Sequence, residues 1–228
     1  FLLFFMFDSM VIIANFLCFV NTYLSRLHFT SLCYTIHIMA SRNDIITLPH
    51  ADLRTKSVRV HVITDETRQL VEDMTAAALD WEDSRPHEVA VALAAVQIDR
   101  LERVVIVRAD FDDKANREFI ALINPEITKT EGEPVTEPEG CLSVLDVYGM
   151  VPRYPRVRVK ALTIDGQEVR IKAEDFLARI MQHEIDHTNG LTIVDRIDHD
   201  HTAFYRLNDA GELEKVAYDD VKASGILR

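Results

Sequence analysis

His183 and His187 stand four residues apart in the run Gln182-His183-Glu184-Ile185-Asp186-His187, and this spacing constrains the chain more than any other feature of it. On a helix, residues four apart lie one above the other, so both imidazoles face one point and can share a single metal ion. Glu184 follows His183 directly and is turned part of the way round the helix. It can reach a water at that point without being a ligand, which is the placement expected of a general base. Phe176, Ile180, His183 and His187 recur at near-helical spacing, with Leu177, Met181 and Glu184 alongside, which predicts that the histidines face inward. Two buried imidazoles beside two acids need a partner, and a metal supplies it. The competing interpretation is a solvated polar helix face, which the apolar neighbours disfavour.

Two histidines leave a tetrahedral ion short of ligands, since catalytic sites usually hold three protein donors and a water. Cys141, in Glu139-Gly140-Cys141-Leu142-Ser143, is the candidate third donor. A thiolate is a strong ligand for zinc or ferrous iron. One cysteine taken alone is more often a small buried apolar residue.

These two motifs together resemble signature motifs of the peptide deformylases, and Val151-Pro152-Arg153 between them is similar to that family as well. The resemblance runs from about Leu53 to Ile197. It implies a single divalent ion, ferrous iron in the cell with zinc as the alternative, held by Cys141, His183 and His187. It also implies removal of the formyl group from N-formylmethionine at the amino terminus of nascent chains. Glu184 would be the base, and Gln97 with the backbone N–H of Leu142 would hold the oxyanion. Val91, Ala92, Gly140, Tyr148 and Ile180 would line the substrate cleft, the peptide lying as an added strand beside Val91 and Gly140. Gln182 and Asp186 are expected to support the ligands.

The family's first motif, Gly-x-Gly-x-Ala-Ala-x-Gln, is altered here to Ala90-Val91-Ala92-Leu93-Ala94-Ala95-Val96-Gln97. Both glycines are replaced. Alanine tolerates positive φ badly, so either the backbone keeps to ordinary regions or the cleft is narrower. Two other functions remain open on the residues: a different zinc hydrolase carrying His-Glu-x-x-His, and a catalytically silent relative that captures peptide amino termini.

The 228 residues, 48% hydrophobic and 27% charged, suffice for one sizeable core. A formal charge of -12 argues against a broad basic surface for nucleic acid. Three cysteines make no disulfide framework. Residues 1–38 are apolar and almost uncharged, and read as a non-native upstream segment or leader outside the fold, with Met39 as the true start; a membrane anchor or targeting segment is the alternative. Residues 39–228 are then one catalytic domain in a cytoplasmic, bacterial-type enzyme whose partner is the nascent formylated peptide near the ribosome, with neither nucleic-acid nor membrane partner.

The expected fold is α+β, with antiparallel or mixed sheets packed around a central metal-binding helix. A helix is predicted to start at Thr64-Asp65-Glu66 and to bury Leu70, Val71, Met74, Ala77, Ala78 and Trp81. Arg103 to Arg108 predicts a buried strand, and Phe119 to Asn124 a second, which Pro125 interrupts. Glu126 to Val135 reads as an edge strand and turn leading to a cysteine loop. Val157 to Ala161 and Val169 to Ile171 form a hairpin through Asp165-Gly166. The metal helix spans about Ala173 to Thr188 and stops at Asn189-Gly190. Phe204 to Leu207 and Leu213 to Tyr218 suggest a terminal hairpin through Asn208 to Gly211, in a tail that is neither basic nor clearly helical. His87 and His199-Asp200-His201 are read as solvated.

Overall fold

In the computed structural model, residues 37–227 are described, apart from 86–87, 112, 198 and 209–210. The leader expected at residues 1–38 therefore falls almost wholly outside the described residues, as do His87 and the tip of the terminal hairpin. Met39–Arg228 forms one compact unit.

Two antiparallel sheets and two long helices make up that unit. The first sheet has the order β1-β2-β3-β6-β7, from β1 (Ala92–Ala94), β2 (Val104–Arg108), β3 (Phe119–Glu131), β6 (Arg156–Leu162) and β7 (Glu168–Glu174). The second has the order β4-β5-β8-β9, from β4 (Val135–Cys141), β5 (Val144–Arg153), β8 (Phe204–Leu207) and β9 (Leu213–Lys215). The α+β expectation holds, and the pairings within both sheets are antiparallel.

Every residue of β2 is buried, because the first sheet is covered on both faces. Val104 and Ile106 pack with Leu70, Met74, Ala77 and Ala78 of helix α1 (Asp65–Asp83). Val105 and Val107 point the other way and pack with Ala178, Ile180, Met181 and Ile185 of helix α2 (Asp175–Thr188). Thr64 caps α1 by accepting from the Thr67 N–H, as its position before two acids predicts. Val71 and Trp81 are only half-buried, while Glu82, on the same helix, is buried.

One strand expectation is refined and one needs correction. Pro125 interrupts the pairing of β3, as expected, without ending the strand. Asn124 adopts φ 54°, the register against β6 shifts between Ile123 and Glu126, and the strand continues to Glu131. A bulge is where a strand can absorb a proline that has no N–H to give. The second half of β3 pairs with β6 on one side only, since β2 pairs no further than Ile123, so it is an edge strand as expected. The stretch before Cys141 is likewise strand β4 and no loop, folded onto β5 through the two-residue turn Leu142-Ser143.

The β6–β7 hairpin turns at Gly166, which takes φ +80°. Helix α2 ends as predicted, with Gly190 at φ +73° against the backbone of Arg54. A Cβ at Gly190 would stand 2.6 Å from the Arg54 carbonyl oxygen, so glycine is required there twice over. Arg103, buried, donates to the Thr188 carbonyl at 3.2 Å and to Asn189 Oδ1 at 2.9 Å, a cation placed at the helix's negative end. A third cluster joins the second sheet to α3 (Ile193–Ile197) and α4 (Tyr218–Ala223) through Val151, Phe204, Ile193, Ile197 and Val221. Helix α4 corrects the tail expectation: Tyr218 opens a short helix instead of closing a strand. Its acids Asp219 and Asp220 keep it from being basic. His201, exposed, stacks on Tyr218 with centroids 3.6 Å apart.

Candidate metal centre and peptide cleft

The alternation of β4 and the periodicity of α2 bring three donors together. Cys141 ends β4, and His183 and His187 lie on one face of α2. Their ligand atoms all fall within 4.8 Å of one another. Cys141 Sγ is 3.2 Å from His187 Nε2. His183 turns its Nδ1 to Glu139 Oε2 at 3.1 Å, which leaves its Nε2 for the shared point. Glu184 is buried, and its Oε2 meets no protein hydrogen-bond partner among the described residues. A thiolate, two imidazoles and an orphaned buried carboxylate oxygen fit a divalent ion with a water beside it.

The site's electrostatics follow from burial and from one chain of charges. Burial pushes the Glu184 carboxyl up to about 7, against the nearby His183 cation. Burial also disfavours a charged His183, but hydrogen bonds to Cys141 and Glu139 outweigh it and raise the imidazole well above its ordinary value. His187 is driven the other way, by burial and then by the His183 charge. Glu139 is buried as well, yet His183 and Arg153 hold its carboxyl far below the usual range. With an ion bound, both imidazoles are neutral and the thiol is a thiolate.

Glu139 is the hub that sequence reasoning missed. Its two oxygens accept from Arg153 Nε at 2.9 Å and Nη2 at 3.0 Å, from Arg179 Nη1 at 2.7 Å, and from His183. Arg153 also reaches Asp186, which in turn accepts from Arg196 Nε at 2.9 Å. Asp186 therefore supports the site through Arg153 and Glu139, without touching a donor itself. Gln182 clasps the end of β5, accepting from the Tyr154 N–H at 3.0 Å and donating to its carbonyl at 2.9 Å. A usable signal was present: Glu139 lies two residues before Cys141 on a strand, and Arg179 four before His183 on a helix, so each shares a face with a donor.

The donors open into a cavity of about 560 Å³. Val91, Ala92, Gln97, Gly140, Leu142, Tyr148 and Ile180 all line it, with Cys141, His183 and Glu184; His187 lies beneath, fully buried. Trp81, Arg85, Glu88 and Phe176 line it too and were not foreseen as lining residues. Phe176 is half exposed at the rim, edge-on to Phe111, instead of facing the core. Gln97 is buried; its Oε1 accepts from the Ala94 N–H at 2.8 Å, and its Nε2 donates to Ser143 Oγ at 3.1 Å and lies 3.8 Å from Cys141 Sγ. β1 and β4 are each the outermost strand of their sheet, so two sheet edges flank the cavity. Neither Ala90 nor Ala92 takes positive φ, so alanine is accommodated by ordinary backbone.

The polypeptide deformylase family model matches residues 42–203. The chain belongs to that family. The peptide deformylase of Thermomicrobium roseum is 40% identical over 176 residues, spanning 76% of this chain and 96% of that one. The peptide deformylase of Halothermothrix orenii is 43% identical over 145 residues, spanning 64% and 86%. Among solved structures, the Synechococcus elongatus peptide deformylase in complex with actinonin aligns with TM-score 0.61 at 31% identity, over 71% of this chain and 87% of that one. The Acinetobacter baumannii enzyme bound to Met-Ala-Ser aligns with TM-score 0.60 at 30% identity, over 70% and 99%. No described helix is long and apolar enough to cross a membrane.

Proposed function

We infer that the chain is a peptide deformylase, a metal-dependent hydrolase that removes the formyl group from the initiator methionine of new polypeptides and releases formate. The observation that carries this is the placement of Cys141, His183 and His187 around one point, with buried Glu184 beside it and a cavity flanked by two sheet edges. Membership of the family makes another zinc hydrolase or a silent relative the poorer reading.

Cys141, His183 and His187 would hold the ion, ferrous iron by preference and zinc next, both of which suit a thiolate with two imidazoles. The ion would act as a Lewis acid and lower the pKa of the attacking water. Glu184 takes the proton from that water and returns it to the leaving amine, so the formyl C–N bond breaks to formate and a free α-amino group. Charge developing on the formyl oxygen is met by Gln97 Nε2 and the Leu142 N–H. Glu139 orients His183, and Arg153 and Arg179 hold Glu139. The peptide lies along Val91 and Gly140 as an added strand, which the outermost place of β1 and β4 in their sheets favours. Val91, Leu142 and Ile180 contribute to the apolar pocket for the methionine side chain, and Tyr148 stands at its mouth.

Residues 39–228 constitute the catalytic domain in this reading, and 1–38 a non-native upstream segment or leader. The natural partner is the formylated nascent peptide as it leaves the ribosome, in the cytoplasm. The test is formate release from formyl-Met-Ala-Ser by the full chain and by protein begun at Met39, both prepared without oxygen and loaded with ferrous iron. Rapid and equal turnover is expected. Stoichiometric metal without turnover would overturn the enzyme assignment, and activity confined to the full chain would overturn the leader assignment.

A further inference from the structure

Arg108 closes β2 as a fully buried arginine, and Glu82, in the last turn of α1, is buried against it. Arg108 Nη1 donates to Glu82 Oε2 at 2.5 Å and to the Ala90 carbonyl at 3.3 Å. Glu82 Oε2 accepts from the Ala90 N–H at 3.0 Å. The backbone N–H of Arg108 donates to the Val91 carbonyl at 2.8 Å. The rest of the guanidinium fastens the following loop, with Nε on the Asn116 carbonyl at 2.8 Å and Nη2 on the Lys114 carbonyl at 3.0 Å.

A buried ion pair contributes little net stability, and well-packed apolar residues in its place are often as good or better. What an apolar pair cannot do is hold a backbone donor and a backbone acceptor at fixed positions. Here both polar groups of Ala90 are held by the pair, and the next two residues, Val91 and Ala92, line the cleft. A wall made of alanine carries Cβ atoms at fixed height, so a small backbone shift changes the clearance a peptide meets.

We propose that Glu82 and Arg108 are positioning residues for peptide binding: together they fix the backbone at Ala90, and with it the cleft wall Val91–Ala92. The proposal rests on the deformylase reading of the cleft. Neither residue touches the metal donors, so their removal acts on peptide affinity before it acts on the chemical step.

The test uses the full metal-loaded chain and two readouts: formate release from formyl-Met-Ala-Ser, and the calorimetric dissociation constant of Met-Ala-Ser. The double variant E82L/R108M removes the pair without stranding a buried charge. It is expected to stay folded with a lowered melting temperature, since the Ala90 N–H and C=O lose their partners, to keep the visible spectrum of the cobalt-loaded site, and to raise KM and the dissociation constant roughly ten-fold, with a smaller change in kcat. Glu82→Gln keeps an acceptor for the Ala90 N–H while leaving the buried Arg108 without its counter-charge, so it should lower the melting temperature yet hold the rise in KM and dissociation constant to about three-fold. A folded double variant with parental KM and affinity overturns the proposal. If the double variant does not fold, Glu82→Gln decides: weaker peptide binding supports the clamp and parental binding overturns it. A parent that binds Met-Ala-Ser without releasing formate would sink the deformylase reading alone, and the affinities would still judge the clamp. A parent that binds no peptide would sink both.

Discussion

Tyr148 lies flat against the backbone of Gly140, so close that a Cβ there would stand 2.7 Å from its ring, while its hydroxyl donates to Glu88 Oε2 at 2.8 Å. One aromatic ring thus sits on the strand that carries Cys141 and reaches across the cavity to the segment leading into β1. Burial and the neighbouring Glu88 carboxylate both raise the Tyr148 phenol above its ordinary value, so it stays a donor at physiological pH.

Gly140→Ala should therefore displace Tyr148 before it disturbs the metal donors. The expected cost is about 1–3 kcal/mol of stability, typical of overpacking, with KM raised and metal stoichiometry kept. Denaturant unfolding and metal analysis of the same preparation check this; loss of the metal would show that Cys141 moves with the ring.

Glu184→Gln removes the proton acceptor and leaves the shape. Formate release should fall by about 10²- to 10⁴-fold, with metal binding retained. Burial lifts the Glu184 carboxyl to about 7, and a cation beside it favours the ionised form, so the acid limb of kcat/KM belongs below that value. Activity falls as pH drops through this limb because the base becomes protonated, and the limb should vanish from the residual rate of the glutamine variant.

Glu139→Gln weakens the hold on His183 and leaves Arg153 and Arg179 without their shared carboxylate. Metal affinity should drop by about 10- to 100-fold, measured by competition with a chelator. An unchanged affinity would mean that the His183–Glu139 contact does not orient the ligand.

Asp195 governs an acid-sensitive contribution to stability away from the site. Its burial opposes ionisation, but bonds from the Thr192 N–H at 2.8 Å and Oγ1 at 2.9 Å, with the Arg54 ion pair, hold the carboxyl below its ordinary value. The stabilisation is present above the unfolded value of about 3.9 and is lost as pH falls through the lower folded value. Asp195→Asn should cost about 1–2 kcal/mol at neutral pH, and the gap from the parent should close in acid-melting experiments.

The helix and its two histidines were legible because period and chemistry coincide there: Ile180 and His187 share a face, and the stop at Asn189-Gly190 is a glycine matter. The strand through Pro125 was not, since a bulge depends on the partner strand's register and leaves only Asn124 as a local sign. Glu139 escaped for a related reason. Its meaning comes from Arg153 on β5 and from Arg179 and His183 on α2, elements distant in sequence from β4. Phe176 fits the apolar stripe of α2 yet stands at the rim, where a first-turn residue can face a cavity. The lining residues Trp81, Arg85 and Glu88 come from a helix end and a loop, where periodicity carries no information.

Cys141 arrives on the edge strand of one sheet, and the histidines on a helix packed against the other. An ion gripped by all three is a rivet between the two halves of the molecule. Its release needs the three donors to part or the ligand bonds to break towards the cavity, so its rate of exchange would respond to motion between the two walls. A peptide spanning both walls would slow that exchange, and tracer-metal release with and without Met-Ala-Ser turns the enzyme's own cofactor into a reporter of cleft motion.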